Sequence, residues 1–267
     1  MQGQGFRQFI CAGALMSIAF AGVAATIQDV SMDLSRNSIS LNAYDHIAVL
    51  PNVLSPLAPT AAGAEWGDIY FGFSAVNHSS GADSINGVMT VGMGVGDPDR
   101  FVGLDMSVGV TSVNPEDGGF AKDRHVDLKL HRSLPYQSAI AVGVENLAAN
   151  GFDRDFSKSY YLVLTKAFQV AKYNLSISLG AGNGRFRSQD DIKDDKNSLG
   201  IFADVTAGIT EWLDVFADWT GNSISAGASV QPFKKLPVTL TVAALDITKN
   251  SVNAVPVAVG LGFAHRF

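Results

Sequence analysis

About twelve runs of this chain alternate apolar side chains with small or polar ones, and that period of two is the strand signature. The runs are 65–76, 87–95, 101–111, 124–132, 137–147, 159–168, 173–182, 199–209, 212–220, 223–231, 237–246 and 255–267. In 101–111 the apolar set is Val102, Leu104, Met106, Val108 and Val110, interleaved with Gly103, Asp105, Ser107 and Gly109. Strands of soluble proteins average about 5–6 residues. Most runs here have roughly 9–12, close to the 9–11 or so that a tilted strand needs to cross a bilayer. No helical apolar pattern of similar length intervenes, which excludes a parallel βαβ layout.

The polarity of the second face separates a soluble sandwich from a membrane barrel. A sandwich carries charge on the face opposite its core. Only 16% of the 267 residues are charged, and the second face is mostly Gly, Ala, Ser and Thr with scattered acids. Such a face suits a confined lumen, with the apolar stripe turned to lipid. The expected fold is therefore all-β, an antiparallel transmembrane barrel of about 12 strands, within a range of 10–14. A soluble barrel with a ligand cavity is the alternative.

The connections point the same way. Every second one is short: 96–100, 133–136, 169–172, 210–211 and 232–236. Those between them are longer and polar, apart from the tight turn Gly221-Asn222, as in barrels with short periplasmic turns and long external loops. Phe101, Tyr136, Phe168, Tyr173, Trp212, Phe233 and Phe267 fall near the short turns, and Phe152, Phe156, Tyr160, Phe186 and Trp219 near the long loops. Two such sets are expected of two aromatic girdles.

The first 25 residues have the form of a secretory signal peptide. Arg7 precedes the apolar run 10–21, and small residues at 19 and 21 or at 23 and 25 offer cleavage sites. The one cysteine, Cys11, lies inside this segment. Residues 26–64 differ in composition from the strand-rich remainder of the chain: 29–45 is polar, and 47–64 is apolar with Pro51, Pro56 and Pro59. They form either a periplasmic linker or a partial lumen plug, ahead of a barrel over 65–267. The last ten residues, ending Gly262-Phe263-Ala264-His265-Arg266-Phe267, resemble the terminal strand of bacterial outer-membrane proteins. That resemblance implies that Phe267 is an assembly signal read by the barrel-assembly machinery, and that the chain resides in the outer membrane among its lipids.

Three further segments resemble the YjbH-type outer-membrane proteins associated with exopolysaccharide export. They are Gly94-Val95-Gly96-Asp97-Pro98, Gly180-Ala181-Gly182-Asn183-Gly184-Arg185-Phe186 and Ala217-Asp218-Trp219-Thr220-Gly221-Asn222, although Trp219-Thr220 departs from that family's turn. Members of that family are much longer. The resemblance implies a barrel and a link to polysaccharide, and it says nothing of catalysis.

Few residues suggest chemistry. His78 and Ser80 have a spacing seen in barrel lipid hydrolases, but face parity turns them to the lumen, whereas those enzymes act on lipid at the outer wall. His125 and His131 share a strand face roughly 20 Å apart, too far to hold one metal. Residues 189–196 carry carboxylates without the spacing or glycine of a calcium loop. No enzymatic activity and no cofactor or metal is expected. The net charge of −6 argues against nucleic acid as a partner.

What remains is the lumen. Inward parity is expected for Asp68, Asp105, Asp127, Glu145, Asp204, Asp214 and Asp218, against Lys129 and Arg266. That excess of acid favours cations or neutral polar solutes. Inward glycines such as Gly103, Gly109, Gly143, Gly180 and Gly227 contribute almost no volume, so a water-filled lumen partly obstructed by 47–64 is expected. The sequence thus points to a channel or export component. A structural, envelope-anchoring barrel is the second reading, and a lipid hydrolase using His78 and Ser80 the third.

Overall fold

A computed structural model describes residues 58–77, 86–110, 124–150, 158–170, 173–233, 236–250 and 255–267. Twelve strands follow one another: β1 (Asp68–Asn77), β2 (Asn86–Gly96), β3 (Gly103–Val110), β4 (Arg124–Leu134), β5 (Ser138–Asn150), β6 (Ser159–Val170), β7 (Tyr173–Gly182), β8 (Gly200–Thr210), β9 (Leu213–Trp219), β10 (Ile224–Val230), β11 (Val238–Ala244) and β12 (Val257–Arg266). Each pairs antiparallel with its sequence neighbours. β1 also pairs with β12, from Asp68 opposite Arg266 to Asn77 opposite Val257, which closes the sheet. A closed barrel leaves no edge strand to solvate.

The alternation seen in the sequence fixes which side of the wall each residue takes, because successive side chains of a strand point to opposite faces. Ile69 and Phe73 on β1, Val91 and Met93 on β2, Leu162 and Leu164 on β6 and Val259 and Leu261 on β12 are exposed on the outside. Asp68, Tyr70, Ser74, Thr90, Thr165, Ser178 and Thr206 are buried on the inside. Apolar residues out and polar residues in is the reverse of a soluble domain and is the pattern a lipid-facing barrel requires.

Two departures from the sequence expectation have local causes. β1 starts at Asp68 rather than at 65, because Gly67 adopts a left-handed φ of 94° and turns the preceding chain off the wall. Trp66 then makes only a parallel bridge to Gly94. On β5 the register against β4 slips twice, and Asn146 and Ala148 take positive φ there. These bulges set the neighbouring side chains Glu145 and Asn146 both inside, buried. The connection after β7 holds a 3-10 turn (Gly184–Phe186) and a short helix, α1 (Gln189–Lys193), capped by the Ser188 hydroxyl.

Candidate functional site: the barrel lumen

The chain that Gly67 turns aside enters the lumen. Ala58 and Ala61 lie fully buried against Ala139, Ala141, Tyr161, Val163, Phe186 and Phe202. This strap, residues 58–64, is held by polar groups of three strands. The Ala61 N–H donates to Thr165 Oγ1 of β6 (2.8 Å), and the Ala64 N–H donates to Asp105 Oδ2 of β3 (3.2 Å). Lys129 Nζ of β4 donates to the Ala62 carbonyl, and a ring nitrogen of His131, on the same strand, lies 2.9 Å from the Ala64 carbonyl. Tyr70 of β1 supports the group from behind, its hydroxyl donating to Asp105 Oδ1 (2.7 Å). A strap with no partner strand has backbone groups to satisfy, and inward side chains satisfy them here. Alanines and Gly63 let it pass close: a Cβ on Gly63 would stand 2.8 Å from the His131 ring and from Lys129.

The nine sequence-predicted lumen residues all sit on the inner side of the wall, but as small separate groups. Lys129 lies 3.4 Å from Asp105. Arg266 forks onto Asp68 (2.5 and 2.6 Å) and reaches Glu65 (2.6 Å), tying the last strand to the entrance of the strap. Glu145 is bridged by Arg185, at 2.6 and 3.2 Å. Asp127 accepts from the Asn146 N–H (2.8 Å), with His125 at 3.6 Å. Asp204 accepts from Thr206 Oγ1 (3.1 Å) and stands opposite Asp218 in the β8–β9 register. Asp214, opposite Gly208 and Ser229, is buried, and its Oδ2 has no hydrogen-bond partner among the described residues. Asp105, Ser107, Asp127, Lys129, Glu145 and Tyr161 line a small cavity with room for about one water molecule. Outside the wall segments, burial raises the Glu65 carboxyl above its ordinary pKa, against the pull of Arg266.

Two expectations are corrected. Phe186 is not part of an outer girdle. The 3-10 turn carries it into the lumen, where it is fully buried with its ring 4.5 Å from that of Phe202 and edge-on to Tyr161. Arg185 comes with it and stacks on the Phe186 ring at 4.2 Å. The inward glycines, in turn, are beds for rings rather than open space. Each of five lies directly across from a ring: Gly92 from Tyr70, Gly143 from Tyr161, Gly180 from Phe202, Gly227 from Phe216 and Gly109 from His125. An added Cβ would meet those rings at 2.1–2.4 Å. Aromatic cover of glycine is a recurrent device for pinning register in a sheet.

Arg185 and the rings of Tyr70, Tyr161 and Phe202 are thus site residues that sequence reasoning missed. The signal was present for three of them, since they share inward parity with Asp68, Ser159 and Asp204. Arg185 lies in a loop, where period gives no direction. His78 and Ser80 lie outside the described residues, as do the residues before 58 and the aromatics Phe152 and Phe156.

No family model and no curated protein matches the chain. Among solved structures, the outer membrane protein Omp33 of Acinetobacter baumannii is similar over 75% of this chain and 97% of that one, with 12% identity and a TM-score of 0.35. A structure described under asymmetric conductivity of engineered proteins is similar over 74% of this chain and 98% of its own, with 9% identity and a TM-score of 0.31.

Proposed function

We propose that this chain is an outer-membrane β-barrel serving as a channel or export component for small polar or cationic solutes, held narrow by its own strap. The observation that carries the reading is the sidedness of the wall. The outer face is apolar, while the acids of the strands, Asp68, Asp105, Asp127, Glu145, Asp204, Asp214 and Asp218, are all on the inner face. Lys129, Arg266 and the loop residue Arg185 offset three of the seven, so the interior keeps an excess of acid and favours cations over anions. Placement in the outer membrane is supported by the strand lengths and by the apolar outer belt. Cleavage of residues 1–25 and an assembly role for Phe267 belong to the same reading. A link to exopolysaccharide rests on the three sequence segments alone.

Two measurements test it. The mature protein is expected to fractionate with outer membranes and to migrate faster on gels unheated than heated, as closed barrels do. Purified protein in planar bilayers under a salt gradient is expected to give small conductance steps with a cation-selective reversal potential. Recovery as a soluble periplasmic monomer refutes the membrane reading. Membrane insertion with no conductance and no transport favours the structural anchor.

A further inference from the structure

Charge is sorted across the wall more strictly than a polar lumen demands. Every acid in a described strand points inward, and the only charged side chains of those strands that point outward are bases: Arg124, Arg132 and Lys166. Arg124 stands at the long-loop end of β4, away from the other two. Arg132 and Lys166 stand together near the short-turn end. Arg132 is opposite Ile140, which is opposite Leu164, and Lys166 lies two residues further along β6. Two strand spacings and two residues place their Cα atoms about 12 Å apart, a gap that an extended arginine and lysine can close onto one phosphate.

The tight hairpin turn between β4 and β5 lies beside Lys166. Tyr136 and Gln137 both hold left-handed φ, 63° and 55°, which side chains other than glycine adopt only at a cost in strain. Tyr136 is 84% exposed with Lys166 Nζ 6.0 Å from its ring centroid, while the Phe168 centroid lies 5.7 Å from the same ammonium. Two rings therefore steer the ammonium, and the long apolar stem of the lysine lies on the wall. Around them Leu130, Val142 and Leu164 are exposed and apolar. A planar guanidinium beside an ammonium, at the border of an apolar belt and an aromatic rim, is complementary to a phosphodiester with acyl chains running down the wall.

We infer that Arg132, Lys166 and Tyr136 form a binding site for the headgroup of an anionic glycerophospholipid in the leaflet at the short-turn rim, an inference that rests on the membrane reading above. The test uses the full folded chain in nonionic detergent, titrated with dioleoyl phosphatidylglycerol or dioleoyl phosphatidylcholine and read by native mass spectrometry. Wild-type protein is expected to retain the glycerol lipid in preference to the choline lipid. R132Q/K166Q is expected to lose roughly 30-fold in affinity for it. The swap R132K/K166R and the distant R124Q are expected to keep the preference. The inference is overturned if wild type shows no preference, if R132Q/K166Q keeps it, or if an equal concentration of inorganic phosphate displaces the lipid. Insertion into vesicles of both lipids, scored by heat-dependent gel mobility, separates the two claims. Protein that inserts in both without preference refutes the lipid site alone, and protein that inserts in neither refutes the membrane reading and the site with it.

Discussion

Replacing Asp105 by asparagine weakens the strap at the wall carboxylate that accepts from it. The carboxylate accepts from the Tyr70 hydroxyl and from the Ala64 N–H, and lies 3.4 Å from Lys129 Nζ. Asparagine keeps the shape and an acceptor, so the Ala64 bond falls from the charged to the neutral range, a loss of about 1–1.5 kcal/mol. Whether that matters depends on how firmly the strap is docked. Three buried alanine methyls contribute about 2.5 kcal/mol at ~0.8 each. Four hydrogen bonds, two of them to charged partners, contribute about 6. Ordering the non-proline residues of 58–64 costs on the order of 9. The terms nearly cancel, which leaves the strap undocked roughly a third of the time, and one weakened contact lowers the docking constant by roughly 5- to 13-fold. The assay is maleimide labelling of Ala61→Cys, a buried position, in folded protein whose Cys11 is replaced by serine. Asp105→Asn is expected to speed labelling about two- to threefold, up to the ceiling set by the undocked share of the parent, with gel mobility of the barrel unchanged. Labelling no faster than in the parent would refute the claim that Asp105 holds the strap.

Gly180→Ala is expected to lower barrel stability by about 1–3 kcal/mol in urea titrations followed by gel mobility, because its Cβ would stand 2.1 Å from the Phe202 ring; in a Phe202→Ala background the same glycine substitution is expected to cost less. Phe267→Ala is expected to reduce membrane assembly while leaving export intact, and equal assembly would show the C-terminal resemblance to be accidental. His78→Ala and Ser80→Ala are expected to leave the membrane lipid profile unchanged, and loss of a deacylase or phospholipase activity would bring back the hydrolase reading.

The barrel was legible because period two is a one-residue rule: each strand declares its own two faces, and all twelve expected runs overlap observed strands. Loops follow no such rule. Arg185 and Phe186 enter the lumen because a 3-10 turn at Gly184, φ 61°, reverses the chain, and nothing in the alternation foretells that. The glycine beds were misjudged for a different reason. Gly143 and Gly180 are seen as small residues one strand at a time, and only the register that pairs them with Tyr161 and Phe202 shows the space to be filled. The alternation bears on which face each acid takes, but the partners Lys129, Arg185 and Arg266 come from other strands or loops, so the pairing within the lumen needed the closed fold.

A strap that narrows an acidic, water-competent lumen is the centre of this account, and paired single-channel recordings address it most directly. Full-length protein and a form lacking residues 26–64 behind an intact signal sequence are compared in planar bilayers at equal insertion. Deletion is expected to raise single-channel conductance and to preserve cation preference. Conductance that is unchanged by deletion, or absent from both forms, would contradict it.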